Sequence, residues 1–225
     1  MAESLRGELT CLSHPVSGHC AFCAAVATNP RGPGWQDVGA GRLRCPGCAA
    51  EAVNTVEDVR ARLGGIRKEL ADLGFALHSR VRVLLATAAE LSGTPVGRQH
   101  GQPLGVTELR PTGGRTADVA RIRVLAGLPG TMFGRVIAHE LGHAWLAQFG
   151  ARPLEPTIEE GVCELIAYAW LKRANTPFAL ALRGQLLTNP DPIYGTGART
   201  VHAATRRHGL ETVITSLATS GHLPK

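Results

Sequence analysis

Cysteine placement constrains this chain more than any other feature. Six cysteines occur in 225 residues, and five of them fall in the first 48. Four form two Cys-x2-Cys pairs, Cys20 with Cys23 and Cys45 with Cys48, with 21 residues between the pairs. Each pair is a knuckle that presents two thiolates to one ion, and two knuckles close a tetrahedral structural zinc site. A redox Cys-x2-Cys would need a surrounding strand–helix pattern, and residues 9–50, rich in Cys, His, Gly and Pro, have none. Cys11 and His14, with His19 close by, form a further pair. They offer part of a second structural zinc site but lack a fourth ligand.

The start of the chain has no apolar signal-peptide core, and no apolar run approaches the ~18 residues of a membrane span. A cytoplasmic location without membrane contact is the expectation, and thiols stay reduced there. The net charge is +6. Only three of the 24 basic residues are lysine (Lys68, Lys172 and Lys225), and the arginines are spread from Arg6 to Arg207. A nucleic-acid binder concentrates its charge on one face, so dispersed arginines argue against that partner. Aromatic residues make up 4% of the chain, too few for a base-stacking platform.

After the cysteine-rich head, expected to span 1–54, the pattern changes. Residues 55–74 read as a helix with Thr55 as N-cap, Asp58 completing a capping box, and an apolar stripe of Leu63, Ile66, Leu70 and Leu73. Residues 79–86, 104–110 and 119–126 read as strands of a short antiparallel sheet, the last two joined through 111–115. Gly127-Leu-Pro-Gly breaks the chain. Helices follow at 131–148, with Thr131 as N-cap and Gly150 as stop, at 157–173, and in two or three shorter pieces to about 219. The fold class is α+β: a zinc-ribbon or LIM-like finger, then a body over 55–225.

Residues 139–143 read His-Glu-Leu-Gly-His. Two histidines four apart on a helix share one face and can share a zinc ion, and Glu140 is placed to take a proton from water at that ion. Without a metal, this polar set would be costly to bury in so apolar a helix. A catalytic zinc needs a third protein ligand. Sixteen residues separate His143 from Glu160 on the next helix, enough chain for a turn and an antiparallel partner. Glu159 is the alternative, because helix phase is not fixed to one residue. Glu164, one turn on, is placed to orient a ligand histidine or to remain a surface charge. Gly161 is expected to let the two helices approach closely. Cys163 is expected to pack in the core.

These residues resemble the plant organ-size-limiting peptidases, which pair a LIM-type finger region with a C-terminal zinc peptidase domain. The resemblance runs from about residue 104 onward. It rests on His139-Glu-Leu-Gly-His-Ala-Trp-Leu, Ile158-Glu-Glu-Gly-Val-Cys-Glu, Ala167-Tyr-Ala-Trp-Leu, Pro192-Ile-Tyr-Gly-Thr-Gly-Ala-Arg and His208-Gly-Leu. It implies a gluzincin-like endopeptidase acting on proteins, with His139, His143 and the Glu-Glu-Gly glutamate as zinc ligands and Glu140 as base. Tyr194, in the Pro-Ile-Tyr-Gly segment, is the oxyanion-donor candidate, with His202 as the alternative. The head departs from that family in lacking a full eight-ligand LIM domain and ubiquitin-interacting helices, which leaves the substrate open. The compact, arginine-biased chain suits a bacterial relative.

The function expected is thus zinc-dependent peptide hydrolysis, with the 119–126 strand pairing to an extended protein or peptide substrate. The head offers a surface for a regulatory protein partner. Two other readings stand beside this one: a zinc-finger adaptor whose peptidase-like body binds without turnover, and a zinc-finger DNA regulator.

Overall fold

The computed structural model describes residues 1–225 except 12, 40, 95–102, 112–116 and 150–153. The expected stop at Gly150 and the 112–115 part of the strand connection lie outside the described residues. The architecture is mixed α+β, about half helical with small sheets.

The head is built from two-residue strands. β1 (Ala2–Glu3) pairs with β2 (Leu9–Thr10), β3 (Gly18–His19) with β4 (Val26–Ala27), and β5 (Gln36–Asp37) with β6 (Leu43–Arg44), all antiparallel. A short helix, α1 (Pro46–Ala50), starts at the second knuckle. Cys45 is its N-cap and accepts the Cys48 N–H, while Pro46 takes a position where a missing N–H costs nothing. The chain then extends as β7 (Ala52–Val53).

α2 (Val56–Asp72) begins with the capping box read from Thr55 and Asp58, and it buries Val59, Ile66 and Leu70. It ends where Gly74 turns left-handed at φ +94° and the Phe75 N–H returns to Leu70 O at 2.9 Å. β8 (Val83–Ala86) leads to α3 (Ala88–Ser92), then to β9 (Gly105–Pro111) and β10 (Ala117–Leu125). The sheet order is β8-β10-β9, with β10 antiparallel to β9 but parallel to β8. The all-antiparallel expectation therefore fails for β8. That strand is not followed by a hairpin but by α3 and β9, and such a crossover is what a parallel pair requires. The strand expected to receive substrate, 119–126, lies at the sheet centre with both edges occupied, so β8 and β9 are the edge strands instead.

The Gly127-Leu-Pro-Gly break contains β11 (Leu128–Pro129), which pairs antiparallel with β7. β11 runs straight into α4 (Gly130–Phe149), whose first residue is Gly130, so Thr131 is not its cap. α5 (Pro156–Ala174), α6 (Pro177–Thr188), α7 (Tyr194–His208) and α8 (Leu210–Ser220) complete the body. Tyr194, placed by sequence in a Gly/Pro loop, opens α7.

Two glycines set the α4–α5 contact. A Cβ at Gly134 would lie 2.0 Å from the Trp170 ring, and one at Gly142 would lie 3.1 Å from both Cα and Sγ of Cys163. Residue numbers rise along one helix as they fall along the other, so the pair is antiparallel. Gly161 does not serve this contact. Its missing side chain admits the backbone of α7, with the Gly197 carbonyl oxygen 2.5 Å from where a Cβ would be. Gly134→Ala is expected to destabilise the protein by about 1–3 kcal/mol, because a buried indole cannot swing clear. Gly184→Ala, in α6 with no atom within 4 Å, is expected to stabilise by roughly 0.5–1 kcal/mol. Thermal melts of the two variants check both signs.

Candidate metal centres

Two groups of ligand-type side chains converge among the described residues: Cys20, Cys23, Cys45 and Cys48, and His139, His143 and Glu160. In each group the ligand atoms lie within 4.8 Å of one another.

All four cysteines of the first group are buried, and Cys23 Sγ sits 3.5 Å from Cys45 Sγ. A tetrahedron with Zn–S bonds of about 2.3 Å has edges near 3.8 Å, so the donor set fits a closed zinc site. Electrostatics point the same way. Hydrogen bonds from Cys23 and Cys48 pull the Cys20 thiol far below its ordinary range. The same contact with Cys20 pushes Cys23 up to about 12 and Cys48 beyond it. Cys11, His14 and His19 are exposed and belong to neither group, and among the described residues the Cys11 thiol bonds its neighbour Ser13. The described residues therefore do not assemble a second structural site around Cys11 and His14, since these two side chains face solvent rather than the cysteine cluster.

The second group lies where α4 crosses α5. Glu160 Oε2 is 3.1 Å from His139 Nε2 and 3.6 Å from His143 Nε2. Three nitrogen and oxygen donors around a zinc at about 2.0–2.1 Å would be about 3.3–3.4 Å apart. The same Glu160 oxygen is buried and makes no well-formed hydrogen bond, which leaves a lone pair for an ion. Each imidazole also has a carboxylate at its far nitrogen. Glu159 Oε1 is 3.0 Å from His143 Nδ1, and Glu164 Oε1 is 3.5 Å from His139 Nδ1. Glu159 and Glu160 thus divide the roles left open between them, with Glu160 at the convergence point and Glu159 behind a histidine. Such outer carboxylates fix ring orientation and raise ligand basicity. Glu164 is 6% exposed, so it is no surface charge, and Arg135 lies 3.9 Å from it.

Burial works to lower the pKa of both histidines, but the acidic groups around them overcome it. Glu160 and Glu164 hold His139 well above the ordinary 6.5, and the Cys163 thiol with Glu159 and Glu160 does the same for His143. Cys163 itself is fully buried beneath Gly142, as a core residue.

Glu140 is 5% exposed, yet it does not join the convergence. Its Oε2 accepts the Thr107 hydroxyl at 2.7 Å, and the backbone of Gly105 presses against it, with a would-be Cβ only 2.7 Å from Oε1. Both partners come from β9. Neither was legible in the sequence, because a strand's contact with a helix 33 residues later leaves no local spacing to read. A cavity of about 300 Å³ opens here, lined by Leu104, Gly105, Arg135, His139, Glu140 and Tyr194 among others. The Tyr194 ring is 6.1 Å from that of His139, and burial followed by the charge of Glu160 keeps its phenol protonated. His202 packs edge-on against Tyr168 and does not line this cavity.

Comparison with known proteins shows a likeness to one family first. The family described as DA1-like: Protein DA1 matches residues 98–182, a span that takes in every residue of the His–Glu group. Particular relatives follow. The chain is 23% identical to LIM domain-containing protein HDR3 of Oryza sativa subsp. japonica, over 99% of this chain and 58% of that protein. It is 23% identical to Protein DA1-related 1 of Arabidopsis thaliana, over 95% and 50%, and 22% identical to Protein DA1 of the same plant, over 95% and 51%. The likeness supported is therefore to DA1-like proteins. The chain spans about half the length of these relatives. No solved structure matches it.

Two measurements follow from this geometry. The purified chain is expected to bind two zinc ions per molecule. Glu160→Ala should reduce this to one, whereas Glu159→Ala should keep two and weaken one of them by roughly 10–100-fold. Metal analysis with a chelator competition reads both, and retention of two tight ions in Glu160→Ala would exclude it as a ligand. The second measurement concerns protons. With folded pKa values raised above 6.5, the imidazoles of the metal-stripped protein stabilise it fully below that pH, and the benefit is lost as pH rises through the folded values. Zinc displaces those protons, so calorimetric titration at pH 7 in buffers of different ionisation enthalpy should show proton release, and affinity should climb with pH.

Proposed function

We propose that this chain is a DA1-like protein and a zinc-dependent peptidase that hydrolyses protein substrates. The observation that carries the reading is the three-donor set of His139, His143 and Glu160, of which His139 lines the same cavity as a separately held carboxylate, Glu140. Three protein donors leave a coordination position open, unlike the four-cysteine site. Zinc held by the three residues supplies the Lewis acidity that makes water nucleophilic near neutral pH.

The remaining work falls to the chain's own groups. Glu140 accepts the proton of the attacking water at its carboxylate and returns it to the leaving amine. Thr107 and Gly105 hold that carboxylate in one orientation by a hydrogen bond and by close contact. Tyr194, kept neutral, donates its phenolic hydrogen as negative charge develops on the carbonyl oxygen. An extended peptide gains backbone hydrogen bonds along the edge of β9 that pairs with no other strand among the described residues, and Gly105 of that strand lines the cavity. The four-cysteine head is structural in this reading and carries no chemistry.

Glu140→Gln is the test. It should keep both zinc ions while cleavage of an unstructured protein such as casein falls by roughly 10²–10⁴-fold. Parent-like cleavage in that variant would overturn the base assignment. The adaptor reading is favoured by the cysteine head and by one relative's description as LIM domain-containing. A fully zinc-loaded parent that cleaves no protein or peptide would support it over the peptidase.

A further inference from the structure

A second cavity, of about 290 Å³, lies on the other side of α4 from the His–Glu site, between α2 and the segment that follows it. Its floor is apolar: Leu70, Phe75, Leu77 and Leu141. Its polar lining carries three cations, Arg67, Lys68 and Arg80, beside His78 and Ser79, and no carboxylate is among its lining residues.

The acids nearest in sequence are engaged elsewhere. Glu69 accepts the Trp170 indole N–H at 2.6 Å, and Asp72 is 3.7 Å from Arg173. Among the described residues, Arg67, Lys68 and Arg80 make no ion pair, although other arginines pair with carboxylates. Arg67 is the telling member. Its guanidinium is only partly exposed, one Nη donates to Val81 O, and its Nε is buried with no hydrogen-bond partner. A partly buried guanidinium beside a second arginine, with a donor unused, is an uncompensated cost in the free protein. Burial, then the charge of Arg80, lowers the Arg67 pKa, as expected for cations lacking a counter-ion.

The cavity is also held open. Gln148 of α4 accepts the backbone N–H groups of His78 and Ser79 at 2.8 and 3.2 Å and donates to the Ser79 hydroxyl at 2.7 Å. Phe75 is fixed edge-on against Trp145 with ring centroids 5.3 Å apart. A ligand would meet a largely preformed site and lose little in ordering it.

From this juxtaposition we infer that the cavity is a binding site for a small organic anion, one carboxylate or phosphate on an apolar stem. The head group pairs with Arg67 and Arg80, which suit planar or tetrahedral oxyanions, and the stem covers Phe75, Leu77 and Leu141. The volume admits a molecule of about the size of a phenyl ring with its head group, not a folded partner.

The test titrates the zinc-loaded full chain with phenyl phosphate and with phenylacetate. Inorganic phosphate serves as the head alone and benzyl alcohol as the stem alone. Binding is read by calorimetry and by ¹⁵N-detected shifts at Phe75, Leu77 and His78. One or both anions should bind, the two fragments at least about tenfold more weakly, and Arg80→Ala should weaken binding by about tenfold or more. The better of the two anions identifies the head group. Arg67→Gln should abolish binding. Because Arg67 also holds Val81 O, the exposed Arg80→Ala and Lys68→Ala variants keep the test sound if Arg67→Gln does not fold. Absence of binding by both anions up to about 10 mM would overturn the inference, as would binding unchanged in Arg80→Ala or equalled by benzyl alcohol.

Discussion

The antiparallel contact of α4 with α5 is the constraint on which the rest depends. Gly134 receives the Trp170 indole and Gly142 receives Cys163, so the helices meet closely on either side of the His–Glu group. That approach brings Glu159, Glu160 and Glu164 against His139 and His143 in a mostly apolar interface. Placing several ionisable groups there is tolerable only because each charge finds an opposite one, and because an ion can take the remaining lone pair of Glu160. Side chains larger than hydrogen at either glycine would separate the helices, and the ligand set would lose its spacing before it lost any member.

Geometry is most legible in the sequence where local periodicity governs it. The four-residue spacing of His139 and His143, the capping box at Thr55 and Asp58, and the paired knuckles of the head are all properties of short stretches, and short stretches can be read. The choice between Glu159 and Glu160 could not be read in the same way. Both lie near the face that meets α4, and only the packing assigns one to the ligand cluster and the other to a ring nitrogen. Thr107, Gly105 and the β7–β11 pairing were invisible for a different reason: each joins segments far apart in the chain. The same cause misplaced the substrate strand. Hydrophobic alternation identifies a strand over 119–126 but says nothing of whether it lies at the centre or the edge of its sheet. Gly161 was matched to the wrong neighbour because a glycine announces close approach without naming what approaches.

The two candidate metal centres differ in a way that follows from donor chemistry. Four thiols around one point are self-sufficient and closed, and they satisfy the ion completely. Two imidazoles and a carboxylate would leave an ion short of one ligand, and one of the three donors, His139, lines the cavity where Glu140 and Tyr194 stand. Arginine dominates the cations of this chain, and it pairs where planar geometry helps, as in the two contacts of Arg6 with Glu51 and those of Arg121 and Arg123 with Glu108.

The two-residue pairing of β7 with β11 has a consequence for how the molecule is made. Val53 pairs with Leu128, 75 positions further along the chain, and α4 starts two residues after that contact. During synthesis the cysteine-rich segment emerges first and can gather its sulfurs locally. Its last strand stays an open edge until the sheet and the turn after it have been made, and closing a loop of this length is entropically slow. The last strand of the head is thus sealed only by a segment 75 positions on, and the pairing that seals it lies two residues before the helix bearing both histidines.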